Sequence, residues 1–314
     1  MAPIKNILVI GAGELGTQVL LSLATHANLT NEIKITALLR PSTINSTDPA
    51  RTAELDVLKE HNILLLPADI STSPIQALTS IFKNYDTIIS CTGFSAGAGT
   101  QVKLTRAVLD AKVPRYIPWQ FGVDYDIIGR GSAQDLFDEQ LDVRDLLRSQ
   151  EQTKWVIIST GMFTSFLFEE TFGVVHLGPE RNIVTALGGW DVTVSLTGAV
   201  DIGLVTAEVV LGSLGEHPDR EFVNGAVYVA GDTVSYGGLA ELVEGVTGRE
   251  VERRIRSVEA AKSDLMREPE IGLYKYQVVF GEGRGVAWDV KETWNYKRGM
   301  KLQTAEEWAK ENLK

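Results

Sequence analysis

The residues with the most specific chemistry lie near the amino terminus, where positions 11–16 read GAGELG. This segment follows the apolar run 7–10 and precedes an amphipathic stretch, so its glycines fall at a strand-to-helix turn. At such a turn Gly11 permits a tight bend, Gly13 lets the backbone approach a pyrophosphate, and Gly16 lets the helix pack closely on the strand. The unpaired N–H groups at the amino end of the helix favour phosphate. The motif predicts dinucleotide binding rather than a purely structural turn.

The end of the second predicted strand indicates which dinucleotide would bind. An NAD site usually carries an acidic residue about 20 positions after the glycines, where it bonds the ribose 2′-hydroxyl. This strand instead ends with Arg40, followed by Ser42 and Thr43, and has no carboxylate at that point. A guanidinium group matches a 2′-phosphate, and two hydroxyls add donors. We therefore predict NADP(H); the alternative is that Arg40 is only a solvated cation.

Alternating apolar runs and amphipathic stretches must position these residues. The predicted strands occupy 7–10, 33–39, 63–66, 87–90, 115–118 and 155–159. The predicted helices between them occupy 14–27, 52–60, 74–83, 100–111 and 135–149. This alternation is typical of an α/β fold, and we predict a Rossmann-type doubly wound parallel sheet.

The pattern changes after position 160. Residues 163–172 are rich in aromatic side chains, and residues 173–200 are rich in Gly, Val and Thr, which is typical of irregular strands. Further helices are predicted at 201–214, at 236–246, and after a capping box formed by Thr304 and Glu307. We predict a dinucleotide-binding domain at 1–160 and a smaller α+β substrate lobe at 161–314, parts of which return to the first domain.

The carboxyl ends of the strands in such a sheet line the ligand crevice, so the residues that follow each strand are assigned to the cofactor site. Asp69 could bond the adenine amine or cap the following turn, and Gly93 lets the backbone approach the cofactor. The predicted cofactor-binding residues are Gly11, Gly13, Glu14, Leu15, Gly16, Arg40, Ser42, Thr43, Asp69, Thr92, Gly93, Phe94, Trp119, Gln120, Phe121, Thr160, Gly161 and Met162.

Composition narrows the classes of function. The 314 residues carry a net charge of −11, which disfavours nucleic-acid binding. One cysteine, Cys91, and four histidines without HExxH or HxH spacing predict no metal site. The start lacks the apolar segment of a signal peptide, and the most apolar later stretch, 155–168, is broken by polar residues and too short to span a membrane. We expect a cytoplasmic protein with no membrane or nucleic-acid partner.

Further motifs extend across most of the chain. They are LLRPST after the second predicted strand, RYIPWQFGVDYD after the fifth (compare RFxPSEFG), STGMF after the sixth, residues 199–203 (compare EEDIG) and 242–248 (compare EKVTG). With GAGELG, these segments resemble the NmrA-like branch of the atypical short-chain dehydrogenases. Within it the chain is most similar to isoflavone reductases and phenylcoumaran benzylic ether reductases, and especially to fungal aromatic alcohol reductase-type members. The resemblance implies NADPH binding and reduction of small aromatic substrates.

The chain departs from the family at positions that carry chemistry. Typical short-chain dehydrogenases use YxxxK, but none of the eight tyrosines here has lysine four positions on. The plant reductases place a lysine in an FEVKxxVR-like stretch, where this chain has Gln140. Glutamine cannot act as a general acid or base, although it can donate a hydrogen bond to a carbonyl or oxyanion. The serine and glutamate of SEFG are replaced by Trp119 and Gln120.

Three functions remain open. In the first, the chain is an NADPH-dependent reductase of a small aromatic or apolar carbonyl, enone or ether, with Gln140, Tyr125 or a water polarising the acceptor. In the second, it is a non-catalytic redox sensor of the NmrA type, which binds the nucleotide and acts through a protein partner. In the third, the same scaffold catalyses a non-redox isomerisation.

The remaining candidates are substrate contacts and surface features. Tyr125, which is flanked by Asp124 and Asp126 in a predicted loop, is a candidate proton donor. The acidic residues at 138, 139, 142 and 145 are expected to form the solvated face of a helix, and tryptophans near the C-terminus are expected to pack or to contact a second copy in a homodimer. The predicted substrate-binding residues are Trp119, Met162, Phe163, Phe166, Phe168 and His176.

Overall fold

The computed structural model describes residues 3–214 and 222–313, and its first half alternates strands and helices as predicted. The strands are β1 (Asn6–Ile10), β2 (Lys34–Leu39), β3 (Leu64–Pro67), β4 (Thr87–Ser90), β5 (Arg115–Ile117) and β6 (Lys154–Ser159). The helices are α1 (Glu14–Ala24), α2 (Pro41–Ile44), α3 (Pro49–Glu60), α4 (Ile75–Phe82), α5 (Thr100–Asp110), α6 (Tyr125–Ile128) and α7 (Leu136–Arg148).

The second half contains shorter strands and several further helices. The strands are β7 (Met162–Phe163), β8 (Val175–Leu177), β9 (Asn182–Leu187), β10 (Thr193–Thr197), β11 (Gly225–Tyr228), β12 (Asp232–Ser235) and β13 (Val251–Arg256). The helices are α8 (Thr164–Leu167), α9 (Ala199–Leu211), α10 (Tyr236–Thr247), α11 (Val258–Arg267), α12 (Gly272–Glu282) and α13 (Ala305–Asn312). Strands β11, β12 and β13 and helices α11 and α12 were not predicted from the sequence.

The main sheet has seven strands in the order β11-β6-β5-β4-β1-β2-β3. All five pairings among β1 to β6 are parallel. Strand β1 is buried on both faces, which explains its continuous apolar run. Because β2 and β4 flank β1, the strand order reverses at β1, and ligands bind at such a switch point. The predicted Rossmann-type sheet is confirmed. Two three-stranded sheets, β12-β10-β7 and β13-β9-β8, complete the strands.

The chain forms two compact units whose segments interleave in sequence. The first unit comprises the chain up to Gln120 with Glu139–Ile158 and Ile202–Ala226. The second comprises Phe121–Asp138, Ser159–Asp201 and the chain from Val227 onward. The predicted boundary at 160/161 lies close to one passage between the units, at 158/159. Each unit draws on three separate segments of the chain.

A close helix crossing holds α9 against α1 within the first unit. A Cβ atom added at Gly203 would lie 2.6 Å from the main-chain oxygen of Gln18 and 2.9 Å from Oγ of Ser22. Real Cβ atoms do not approach backbone this closely, so any larger residue at position 203 would push the two helices apart.

The variant Gly203→Ala is expected to lower the free energy of unfolding by about 1–3 kcal/mol, because the added methyl group overpacks this crossing. Gly245→Ala is the matched control, since Gly245 lies exposed in α10 with no atom within 4 Å of an added Cβ. The control should be neutral or stabilising by up to about 1 kcal/mol through helix propensity. Urea denaturation of both variants checks this, and equal behaviour would contradict the close crossing.

Candidate functional site

A cavity of about 390 Å³ opens at the carboxyl ends of four neighbouring strands of the first unit. Its walls include the residues that directly follow β1, β2, β3 and β4, at the switch point of the sheet. The lining residues are Ile10, Gly11, Ala12, Gly13, Leu38, Leu39, Arg40, Thr43, Arg51, Ala68, Ile70, Ser71, Cys91, Thr92, Gly93 and Ala96.

The glycines of GAGELG have three distinct environments. Gly11 has a φ of +92°, and a Cβ on it would lie 2.6 Å from Oγ1 of Thr92. A Cβ on Gly16 would lie 2.2 Å from the Gly11 oxygen, so the expected close packing of helix on strand is present. At Gly13 an added Cβ meets no atom within 4 Å, and no side chain caps the α1 amino end that Gly13 begins. These N–H groups suit a phosphate. Neighbouring Glu14 and Leu15 do not line the cavity.

Two guanidinium groups line the cavity. Arg40 is exposed at the start of α2, and Thr43 lines the wall while Ser42 does not. Arg51 was not among the predicted residues; its Nη1 donates to the oxygen of Ala12 at 3.4 Å and to Glu54 at 2.5 Å. The available signal was Asp48-Pro49, a helix start that would have put Arg51 in the first turn of α3.

Some of the residues that follow β3 and β4 line the cavity, and others pack behind its wall. Oδ1 of Asp69 accepts a hydrogen bond from the N–H of Ser71 at 2.8 Å, so Asp69 caps the following turn. Asp69 does not line the cavity, although its neighbours Ala68 and Ile70 do. Thr92 and Gly93 line the cavity as predicted. The indole of Trp119 lies against Gly93, where an added Cβ would be 2.8 Å from the ring. Phe94 packs edge-to-face on this indole, with ring centroids 4.5 Å apart.

The assignment of Gln120 to the cofactor is not supported by its contacts. Its side chain is fully buried, Nε2 donates to the main-chain oxygen of Gln140 at 2.8 Å, and Oε1 accepts from Nε of Arg144 at 2.8 Å. Both ends of the amide are therefore engaged with α7, and Gln120 joins the end of β5 to that helix. Phe121 is also buried and does not line the cavity.

Gln140 is fully buried, and neither its side-chain nitrogen nor its oxygen has a hydrogen-bond partner among the described residues. Leaving a buried polar group unpaired costs about 1–3 kcal/mol, so native folds rarely contain one. The amide does not line the cavity described above, and other buried side chains, such as Ser159 and Tyr236, also have polar atoms without a partner among the described residues.

The acidic residues of α7 do not form one solvated face, contrary to expectation. Asp142 and Asp145 are exposed, but Glu139 is half-buried and accepts hydrogen bonds from backbone N–H groups at the start of α5. Asp138 is also half-buried and accepts from the N–H of Gly131 at 3.0 Å. The sequence pattern could not reveal these partners, because they lie outside the helix.

In the second unit, Tyr125 begins the short helix α6 rather than lying in a loop, and it is buried, with its ring 4.9 Å from that of Phe137. Gly161 has a φ of +71°, and an added Cβ would lie 2.1 Å from the oxygen of Ser195. Its neighbours Thr160 and Met162 are buried as well. Gly161 therefore allows a close backbone approach to β10.

Aromatic rings form a connected cluster in the second unit. Phe166 lies 4.7 Å from Phe172 and 6.1 Å from Tyr276, measured between ring centroids. Tyr276 comes from α12, a helix that was not predicted from the sequence, and burial raises the pKa of its phenol to about 12. Phe163 is half-buried, and Phe168 stacks on Trp308 at 4.8 Å.

His176 lies on the surface. Its side chain is 48% exposed, and Nδ1 contacts Oε1 of Glu170 at 2.5 Å. In the part of the chain that the structure describes, no group of three or more His, Cys, Asp or Glu side chains could hold a metal ion. Within the same residues, no helix is both long enough and apolar enough to cross a bilayer.

Comparison with known proteins shows the family and the fold. An oxidoreductase of Gibberella moniliformis with an NmrA-like family domain is 45% identical over 98% of this chain and 97% of that protein. A solved isoflavone reductase superposes with a TM-score of 0.78 at 20% identity, covering 98% of this chain and 99% of that one. AtPrR2 with NADP⁺ and (+)pinoresinol gives a TM-score of 0.77 at 20% identity, with 99% of both chains covered. Residues 3–309 match the NmrA-like family, and the chain belongs to that family.

Proposed function

We propose that this protein is an NADPH-dependent reductase of a small aromatic or otherwise apolar carbonyl, enone or ether. The observation that carries the proposal is the cavity at the strand ends, which combines the uncapped amino end of α1 with two arginines. Two comparisons support this choice. The Gibberella relative is named an oxidoreductase, and the AtPrR2 structure contains NADP⁺.

The residues of the cavity fit the parts of this cofactor. The N–H groups at the start of α1 would hold the pyrophosphate, with Gly13 leaving room for it. The 2′-phosphate would be bound by Arg40, Arg51 and Thr43. The cofactor would also contact Thr92 and Gly93, which follow β4. When bound, NADPH supplies a hydride.

Gln140 is the residue that we assign to polarising the substrate oxygen. Its buried amide would donate a hydrogen bond to the carbonyl oxygen, and this bond would strengthen as negative charge develops on that oxygen. The amide would not transfer a proton. Tyr125, a buried phenol, is the candidate proton donor. Met162, Phe163 and Phe166 are the candidates for contacting an apolar ring.

A redox sensor is the second candidate function, and the glutamine at position 140 favours it because an amide cannot move a proton. The two functions differ in nucleotide preference. A reductase should bind NADPH more tightly than NADP⁺, whereas a sensor should bind the oxidised form equally well or better. Calorimetric titration with both forms separates them without knowledge of the substrate.

Calorimetry also tests the cofactor assignment. Arg40→Ala should weaken NADPH binding about tenfold or more and leave NADH binding nearly unchanged, because only NADPH carries the 2′-phosphate. Arg106→Ala is the control, since Arg106 is exposed on α5 and does not line the cavity. Equal affinity of the unaltered protein for NADPH and NADH would contradict the assignment, and failure of all nucleotides to bind would refute the proposed function.

Gln140→Leu should raise the free energy of unfolding by about 1 kcal/mol, because a similar apolar side chain replaces two unpaired polar atoms. Gln120→Leu is the matched control and should destabilise by about 2 kcal/mol, because Arg144 and the Gln140 oxygen lose their hydrogen bonds. Chemical denaturation measures both. Loss of stability in Gln140→Leu would mean that the amide is bonded within the fold and is not held ready for a ligand.

A further inference from the structure

Helix α5 is not capped by a side chain of its own segment. Gly99 precedes it with a left-handed φ of +79°. The carboxylate of Glu139 takes the place of a local cap and accepts from three backbone N–H groups: Gly99 at 2.9 Å, Gln101 at 2.7 Å and Val102 at 3.2 Å. A carboxylate at a helix amino end is stabilised both by these charge-assisted bonds and by the helix dipole.

The capped turn of α5 reaches the wall of the cavity. Nε2 of Gln101 donates to the main-chain oxygen of Thr92 at 2.8 Å, and Oγ1 of Thr92 donates to the oxygen of Ile10 at 3.1 Å. Gln101 is 3% exposed, so water does not compete with its hydrogen bond. An unbroken series of bonds therefore runs from Glu139 to the cavity wall at the ends of β1 and β4.

The same carboxylate fixes the helix that carries Gln140. Glu139 and Gln140 are consecutive in α7, and the main-chain oxygen of Gln140 accepts from Nε2 of Gln120. Helix α7 is thus attached at two adjacent residues, to α5 on one side and to the end of β5 on the other. A shift at Glu139 would move both the Gln140 amide and the Thr92 loop.

We propose that Glu139 is a positioning residue that couples helix α7 to the cofactor-facing segment Thr92–Gly93 through the amino end of α5. Its effect on cofactor binding rests on the proposed function, because that function makes the cavity a nucleotide site. The effect of Glu139 on the order of the Thr92 loop does not depend on the proposed function. Glu139 touches neither nucleotide nor substrate in this scheme and acts only through Gln101.

Two variants test the coupling by hydrogen exchange and by calorimetry. Glu139→Gln keeps the shape but removes the charge, and Gln101→Met keeps the length but removes the bond to Thr92. Each should speed amide exchange in peptides covering residues 92–101 about tenfold and weaken NADPH binding about threefold to tenfold. The double variant should weaken binding by less than the product of the two single effects, because both act on one series of bonds.

Asp110→Asn is the matched control, since it removes the same charge from the exposed, opposite end of α5. There an acidic side chain opposes the helix dipole, so the control should leave exchange and NADPH binding unchanged. A purely structural role for Glu139 would lower the thermal stability without altering either measurement in the folded protein.

Unchanged exchange at residues 92–101 in Glu139→Gln, or independent effects in the double variant, would overturn the coupling. If Glu139→Gln does not fold, Gln101→Met alone still tests the bond to Thr92, and unchanged exchange there would overturn it. If the unaltered protein binds no NADP nucleotide, the proposed function fails, while the exchange measurement still decides the role of Glu139.

Discussion

The structure of the site depends on the absence of side chains where α1 meets the sheet. An added Cβ on Gly16 would lie 2.2 Å from the Gly11 oxygen and 3.2 Å from Cβ of Cys91. This contact fixes the start of α1 against the ends of β1 and β4 at once. Because the helix lies this close to the sheet, its amino end stands beside a cavity whose walls are the strand ends themselves. The cavity wall therefore depends on the close packing of Gly16 against Gly11.

Local patterns were sufficient to predict six of the seven strands of the main sheet and several residues that line the cavity. Strands buried on both faces produce continuous apolar runs, so β1 and β4 were predicted nearly residue by residue. Gly11, Gly13 and Arg40 could be placed at the cavity because ligand-contacting residues of such a sheet follow β1 and β2 directly. Strand β13 was missed because VERRIR is half-exposed and charged, and neither an apolar run nor an alternating pattern identifies such a strand.

The remainder of the site depends on contacts between distant segments. Gln120 looked like a cofactor residue because it follows a strand, but its bonds to α7 decide its role, and its partner Arg144 is 24 residues away. Glu139 looked like part of a solvated face, although its partners lie about 40 residues earlier. Arg51 was missed because a one-turn error in the start of α3 left it outside the helix. Helix periodicity reports which face is polar, not what that face touches.

The interleaved segments have a consequence for how the protein is made. The first unit contains pairs such as His26 and Glu208, which bond to each other across 182 residues. Closing loops of this length costs conformational entropy before any contact compensates for it, so folding of that unit is intrinsically slow. On the ribosome, the first unit cannot be completed until Ile202–Ala226 has emerged. Until then the unit lacks part of its packing, and incompletely packed intermediates of this kind are prone to aggregation.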